Sequence, residues 1–148
     1  MELKVMLDKG AILPDRAHED DAGLDLFSQE EVVVRLKESV TINTGVHVAI
    51  PKGHVGFIKS KSGLMVNHSI LTDGTVDAGY TGAVRVTLFN HAYEHFTILK
   101  GQKIAQLVLL PIITPKVVLV EELEETERGS GGFGSTGAFL FQQRNKIK

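Results

Sequence analysis

Val46-His47-Val48-Ala49-Ile50, closed by Pro51-Lys52-Gly53, decides the class of fold. Valine and isoleucine take every second position, so an extended segment here has one apolar face. Proline then fixes φ and glycine permits a reversal, which ends the strand. The alternation returns at Val84-Arg85-Val86-Thr87-Leu88-Phe89. Shorter β-rich runs lie at 31–36, 55–58, 104–110 and 116–121, with Gly, Pro, Asn or Asp between most of them. Short strands at such spacing predict an all-β sandwich or barrel. One short helical turn is expected at 63–68, after Ser62. There is no internal repeat and no alternating strand–helix pattern.

The 148 residues are enough for one domain with a real core. Hydrophobic residues make up 43% and charged residues 23%, an ordinary globular balance. A net charge of -2 argues against broad binding to nucleic acid. The absence of cysteine excludes disulfides and thiolate metal sites. No apolar run approaches a membrane span, and Met1-Glu2-Leu3-Lys4 opens no secretory signal. The expectation is a soluble protein of the cytoplasm.

The end of the chain differs. Five glutamates fall within 121–127, a solvated linker by composition. Arg128-Gly129-Ser130-Gly131-Gly132-Phe133-Gly134-Ser135-Thr136-Gly137 follows, with five glycines in ten residues. Glycine loses the most backbone entropy on ordering, so a flexible arm is expected. Arg128 offers a fork of donors for phosphate, and Ser135 and Thr136 offer hydroxyls. Gly134 and its neighbours offer backbone N–H groups, and Phe133 a face for stacking on a base. These are the parts of a nucleotide lid, against the plainer reading of a disordered tail. A Walker loop is excluded because Gly134, not lysine, precedes Ser135. The apolar patch Phe139-Leu140-Phe141 could dock on a neighbouring surface.

In the centre, Asp73-Gly74-Thr75-Val76-Asp77-Ala78-Gly79-Tyr80-Thr81-Gly82 is rich in turn residues. A hairpin here would project Asp77 and Tyr80. Asp77 can act as general base on a water, or it can be an Asx-turn residue. Tyr80 can equally be a packing residue. Upstream, Lys59-Ser60-Lys61-Ser62-Gly63-Leu64 places cations and hydroxyls before a possible helix start, which suits phosphate or simply an N-capped turn. Asp20-Asp21-Ala22-Gly23-Leu24-Asp25-Leu26 gathers carboxylates around a glycine without EF-hand spacing. His91-Ala92-Tyr93-Glu94-His95 matches an H-x-x-E-H zinc motif, but it lies between strand-like runs and reads as a hairpin connection. The remaining histidines read as surface or internally satisfied groups.

The order of these pieces resembles the trimeric dUTP pyrophosphatase family. Its five motifs look like residues 22–26, 61–64, 74–82, 101–106 and 128–137 of this chain. The resemblance implies a jelly-roll-like β subunit over 1–127, a flexible arm over 128–148 with its lid at 128–137, and a homotrimer with shared active sites. It implies Mg2+-dependent hydrolysis of dUTP to dUMP and pyrophosphate, which keeps uracil out of DNA and supplies dUMP for dTMP synthesis. Asp77 would orient and activate the attacking water. Tyr80 would stack under the deoxyribose and exclude a 2′-hydroxyl. Backbone around Leu71, Thr72, Thr75 and Val76, and near Arg85, would read the uracil edge. Lys61, Ser62, Gly63 and Gln106 would contact the phosphates, and Arg128, Gly134, Ser135 and Thr136 the γ-phosphate end. Phe133 would cover the uracil. Mg2+ would be held by phosphates and waters, with Asp25 acting through water.

Two features depart from the family pattern. Lys61 stands where the family has arginine, keeping the charge and losing the fork, with Lys59 as a possible substitute. The stretch between Ser62 and Asp77 is about one residue short. A dCTP deaminase on the same fold and a non-enzymatic nucleotide switch are the rival readings.

Overall fold

The computed structural model describes residues 2–137. They divide into two compact units, Met1–Thr114 and Pro115–Lys148. Among the described residues, the first carries all the regular structure.

Ten strands and one short helix follow in order: β1 (Lys4–Leu7), β2 (Gly23–Phe27), β3 (Val32–Val34), β4 (Ser39–Ala49), β5 (His54–Ser60), α1 (Ser62–His68), β6 (Ile70–Leu71), β7 (Asp73–Asp77), β8 (Ala83–Asn90), β9 (Phe96–Ile98) and β10 (Lys103–Pro111). One sheet runs β1-β4-β8-β6 and a second β2-β10-β5-β7, with β3-β9 as a separate pair. Every pairing is antiparallel. This is the expected all-β sandwich of jelly-roll type. Val84, Val86 and Leu88 of β8 point inward and Arg85 and Phe89 outward, as the alternation requires. They meet Ile42, Val46 and Val48 of β4 and, from the second sheet, Leu26, Ile58, Ile104 and Leu107 in one apolar core.

Three expectations are corrected. The 74–82 stretch is not a hairpin: β7 pairs with β5 and β8 with β4 and β6, so the chain changes sheets between Asp77 and Ala83. Residues 91–95 likewise join β8 to β9, which pairs with β3. The 116–121 run forms no strand, and Val117 and Leu119 stand exposed. Strand residues alone do not make a strand; the backbone groups need an edge to pair with.

In the second unit, residues 126–137 fold into successive tight turns. Gly129 N–H donates to Thr126 O at 3.0 Å, Gly131 to Arg128 O at 3.0 Å, Ser135 to Gly132 O at 3.0 Å and Gly137 to Gly134 O at 2.8 Å. The expected boundary at 127/128 falls inside this unit. The apolar patch 139–141 lies outside the described residues.

Candidate active site

Two clusters stand out, one where the chain leaves the second sheet and one within that sheet. The first is the bend between β7 and β8. Tyr80 N–H donates to Asp77 O at 3.1 Å, and Gly79 takes a φ of 96°, the position of a type II turn that favours glycine. The turn is closed backbone to backbone. Asp77 is exposed, and its carboxylate makes no hydrogen bond or ion pair among the described residues, so it is not an Asx-turn residue. Tyr80 donates its hydroxyl to Ala83 O at 3.1 Å. Its ring lies over Gly82, where an added Cβ would sit 2.4 Å from the tyrosine oxygen. Behind them lies a pocket of about 250 Å³ lined by Ile58, Gly74, Thr75, Val76, Asp77, Tyr80, Val84 and Arg85. Its floor is apolar. β7 is an edge strand, so one row of its N–H and C=O groups faces away from β5.

The second cluster surrounds Asp25, buried on β2. Lys61 Nζ lies 2.6 Å from one carboxylate oxygen and Lys103 Nζ 2.7 Å from the other. Burial alone would raise the Asp25 pKa. The hydrogen bonds from Lys103 and Lys61, with their charges, outweigh it and hold the carboxyl below its ordinary value. The same hydrogen bond and charge raise Lys103. Gln106 lies opposite Asp25 in the strand register and covers Gly23, where a Cβ would meet its side-chain oxygen at 2.1 Å. Gln106 Nε2 donates to Ser60 O at 3.1 Å, and Ser60 Oγ joins Thr72 O at 2.9 Å and Thr72 N–H at 2.8 Å. The Thr72 hydroxyl is buried without a partner among the described residues. Ser62 opens α1 and is exposed, with Gly63 after it. The N-cap is Lys61, which makes no side-chain cap, so the turn is not capped by serine.

The register separates the clusters. Asp25 aligns with Gln106, Gln106 with Lys59 and Lys59 with Asp73. Three strand spacings across and four residues along β7 put Asp77 about 19 Å from Asp25. Lys61, Ser62, Gly63 and Gln106 therefore belong with Asp25. Thr75, Val76, Tyr80 and Arg85 belong with Asp77. Leu71, on β6, and Thr72 do not line the Asp77 pocket. Lys59 is paired with Asp73, both side chains being exposed. The cation that sequence reasoning left unassigned is Lys103. It lies within a quoted motif, but its partner is 78 residues away in the chain. In the arm, Arg128 Nε donates to Gly131 O at 2.9 Å and Phe133 is fully exposed with a φ of 46°.

No group of three His, Cys, Asp or Glu side chains suited to a metal occurs among the described residues. Asp25 already gives one lone pair on each oxygen to a lysine. A metal ion at Asp25 would have to be carried mainly by phosphates and waters, with the carboxylate acting through water.

An all-β hydrolase is the class this fold and these clusters define. The family model for dUTPase matches residues 9–137. A deoxyuridine 5′-triphosphate nucleotidohydrolase of Clostridium acetobutylicum is 48% identical over 134 residues, covering 88% of this chain and 92% of its own. One from Gloeothece citriformis is 45% identical over 141 residues, covering 93% and 97%. Among solved structures, the dUTPase of Staphylococcus bacteriophage 80alpha with dUPNHPP has a TM-score of 0.86 at 37% identity, covering 92% of this chain and 98% of its own. A mutant dUTPase of S. aureus phage phi11, described with a coordinated structural Mg(II) ion, has a TM-score of 0.79 at 35% identity, covering 84% and 100%. The chain belongs to the dUTPase family.

Proposed function

We infer that this chain hydrolyses dUTP to dUMP and pyrophosphate. The observation that carries the reading is the free edge of β7, which ends at an open carboxylate beside a base-sized apolar pocket.

Uracil enters that pocket. The unpaired backbone of β7 near Gly74–Val76, with that of Arg85, matches its acceptor–donor–acceptor edge. Cytosine would leave buried backbone groups unpaired, which costs far more than a lost methyl contact. Tyr80 packs under the deoxyribose, and its anchorage to Ala83 O keeps the ring where a 2′-hydroxyl would collide. Asp77 accepts a proton from one water as that water attacks the α-phosphorus. The bond from the α-phosphorus to the bridging oxygen breaks, and pyrophosphate leaves. Lys61, Ser62, Gly63 and Gln106 hold the phosphate chain, with Lys103 completing the positive group around Asp25. Arg128, Gly134, Ser135 and Thr136 engage the γ-phosphate end as the arm 128–137 closes. Phe133 then covers the base and excludes bulk water. Asp25, through water, would help hold a Mg2+ ion carried mainly by the triphosphate, and that ion would supply charge neutralisation when bound. Asp77 and Asp25 must act within a few ångströms of one triphosphate, yet about 19 Å separates them in one chain. A second chain therefore completes each site, and a homotrimer with shared sites satisfies this.

Parallel assays of pyrophosphate release from dUTP, dTTP, dCTP and UTP, with and without Mg2+, test the reading. Release from dUTP alone, lost on chelation, is the expected result. Ammonia from dCTP would overturn it in favour of a deaminase. Light scattering of the full chain tests the trimer; a monomer turning over dUTP at full rate would sink shared sites.

A further inference from the structure

His47 lies on β4 just past the register shift between Asn43 and His47, opposite Ala83 of β8 and Met6 of β1. Its side chain is 18% exposed. Nδ1 is 2.8 Å from the carbonyl oxygen of Thr81, inside the bend that carries Tyr80. Nε2 is 3.1 Å from a carboxylate oxygen of Asp8, in the turn after β1. Both partners are acceptors. A neutral imidazole has one N–H and satisfies one of them, leaving the other nitrogen's lone pair against an oxygen. An imidazolium satisfies both.

We propose that His47 is a positioning residue for the catalytic bend, a charged strut that holds the Thr81 carbonyl on one side and Asp8 on the other. Thr81 directly follows Tyr80 and lies four residues after Asp77, so a fixed carbonyl there limits how far the bend can swing. The elements against His47 are β1 with its following turn, β8, and the bend. Of their charged groups Asp8 is bonded to the ring, Lys4 lines the same surface depression, and Asp77, Tyr80 and Arg85 line the neighbouring pocket. The Thr81 hydrogen bond raises the imidazole pKa above its ordinary 6.5, against some desolvation, and Asp8 adds to the rise. The strut is therefore complete below about pH 6.5 and is lost as pH climbs through the raised value. The Asp77 and Tyr80 roles are those inferred above, and the proposal rests on them.

The test compares full-length wild type, His47→Gln and Asp8→Asn in dUTP hydrolysis with Mg2+ from pH 6 to 9. Effects of pH on substrate and metal cancel in the ratio to His47→Gln. That ratio of kcat is expected to be about fivefold at pH 6, one hydrogen bond's worth, and near one at pH 9, with KM moving less. Asp8→Asn is expected to shift the transition to lower pH. In wild type, ¹⁵N chemical shifts of the His47 ring are expected to report a doubly protonated imidazolium at pH 6. A pH-independent ratio, or a neutral His47 ring at pH 6, would overturn the proposal. The ring measurement does not depend on Asp77, so wild-type turnover in Asp77→Asn would instead remove the base assignment.

Discussion

Asp77 and Asp25 are both carboxylates on the second sheet, and they are held in opposite ways. Asp77 ends an edge strand, is exposed, and has neither ion-pair nor hydrogen-bond partner at its carboxylate among the described residues. Asp25 lies within a paired strand, is buried, and gives each oxygen to a lysine. A general base must be open to water and free to take a proton. A carboxylate clamped by two cations is poor at that and good at fixing charge. The proposed division of labour follows: Asp77 would move the proton and Asp25 would organise the cationic end.

The sharpest way to break this comparison is to neutralise each carboxylate. Asp77→Asn should lose about three orders of magnitude in kcat, the middle of the range for a positioned base. dUTP affinity should hold in calorimetry and thermal stability should stay near wild type, because the site is exposed. Appreciable turnover would move the base elsewhere.

Asp25→Asn should instead cost stability, about 1 kcal/mol by urea denaturation at neutral pH, since it removes the partner of two lysines; the partial exposure of both lysines keeps the figure well below that of a fully buried pair. The pH dependence carries a definite sign. The folded Asp25 pKa is lowered, so its contribution is present above the ordinary 3.8 and lost as pH falls through the folded value. The gap between wild type and Asp25→Asn should therefore close in strong acid.

Deleting 128–148 sharpens the division between sheet and arm. Hydrolysis should fall about a hundredfold, from lost charge-assisted phosphate contacts and lost closure. The β core should melt as before, because its elements end at Pro111. Full activity without the arm would remove the lid.

The smallest expected effect is at Gly82→Ala. The new methyl meets the far end of the Tyr80 side chain, not backbone, so the ring moves and the fold does not. Stability should change by less than about 0.5 kcal/mol, while the preference for dUTP over UTP falls about tenfold. Unchanged discrimination would show that the anchored ring does not exclude the 2′-hydroxyl.

Much of this was legible in the residues. The alternation at Val46–Ile50 and Val84–Phe89 is a local property of extended chain, and β4 and β8 appear where it stands. β1, β2, β6, β7 and β9 are not legible in this way, because they are short and owe their form to neighbouring strands more than to propensity. The 116–121 run shows the converse: the propensity is present and no strand results. Asp77, Tyr80, Ser62 and Gln106 could be singled out by motif. The motif could not say that Asp77 stands clear of its own turn, or that Leu71 and Thr72 lie away from its pocket.

The sequence by itself determined the all-β class, the candidate site residues and the glycine-rich arm, because these follow from period, residue type and local backbone freedom. Only the tertiary structure decided that β7 and β8 belong to different sheets, that Lys103 and Lys61 share Asp25, and that one chain keeps Asp25 and Asp77 about 19 Å apart. The reason is that strand pairing joins residues remote in sequence. Register, which sets those distances, is a relation between strands and is written in no one of them.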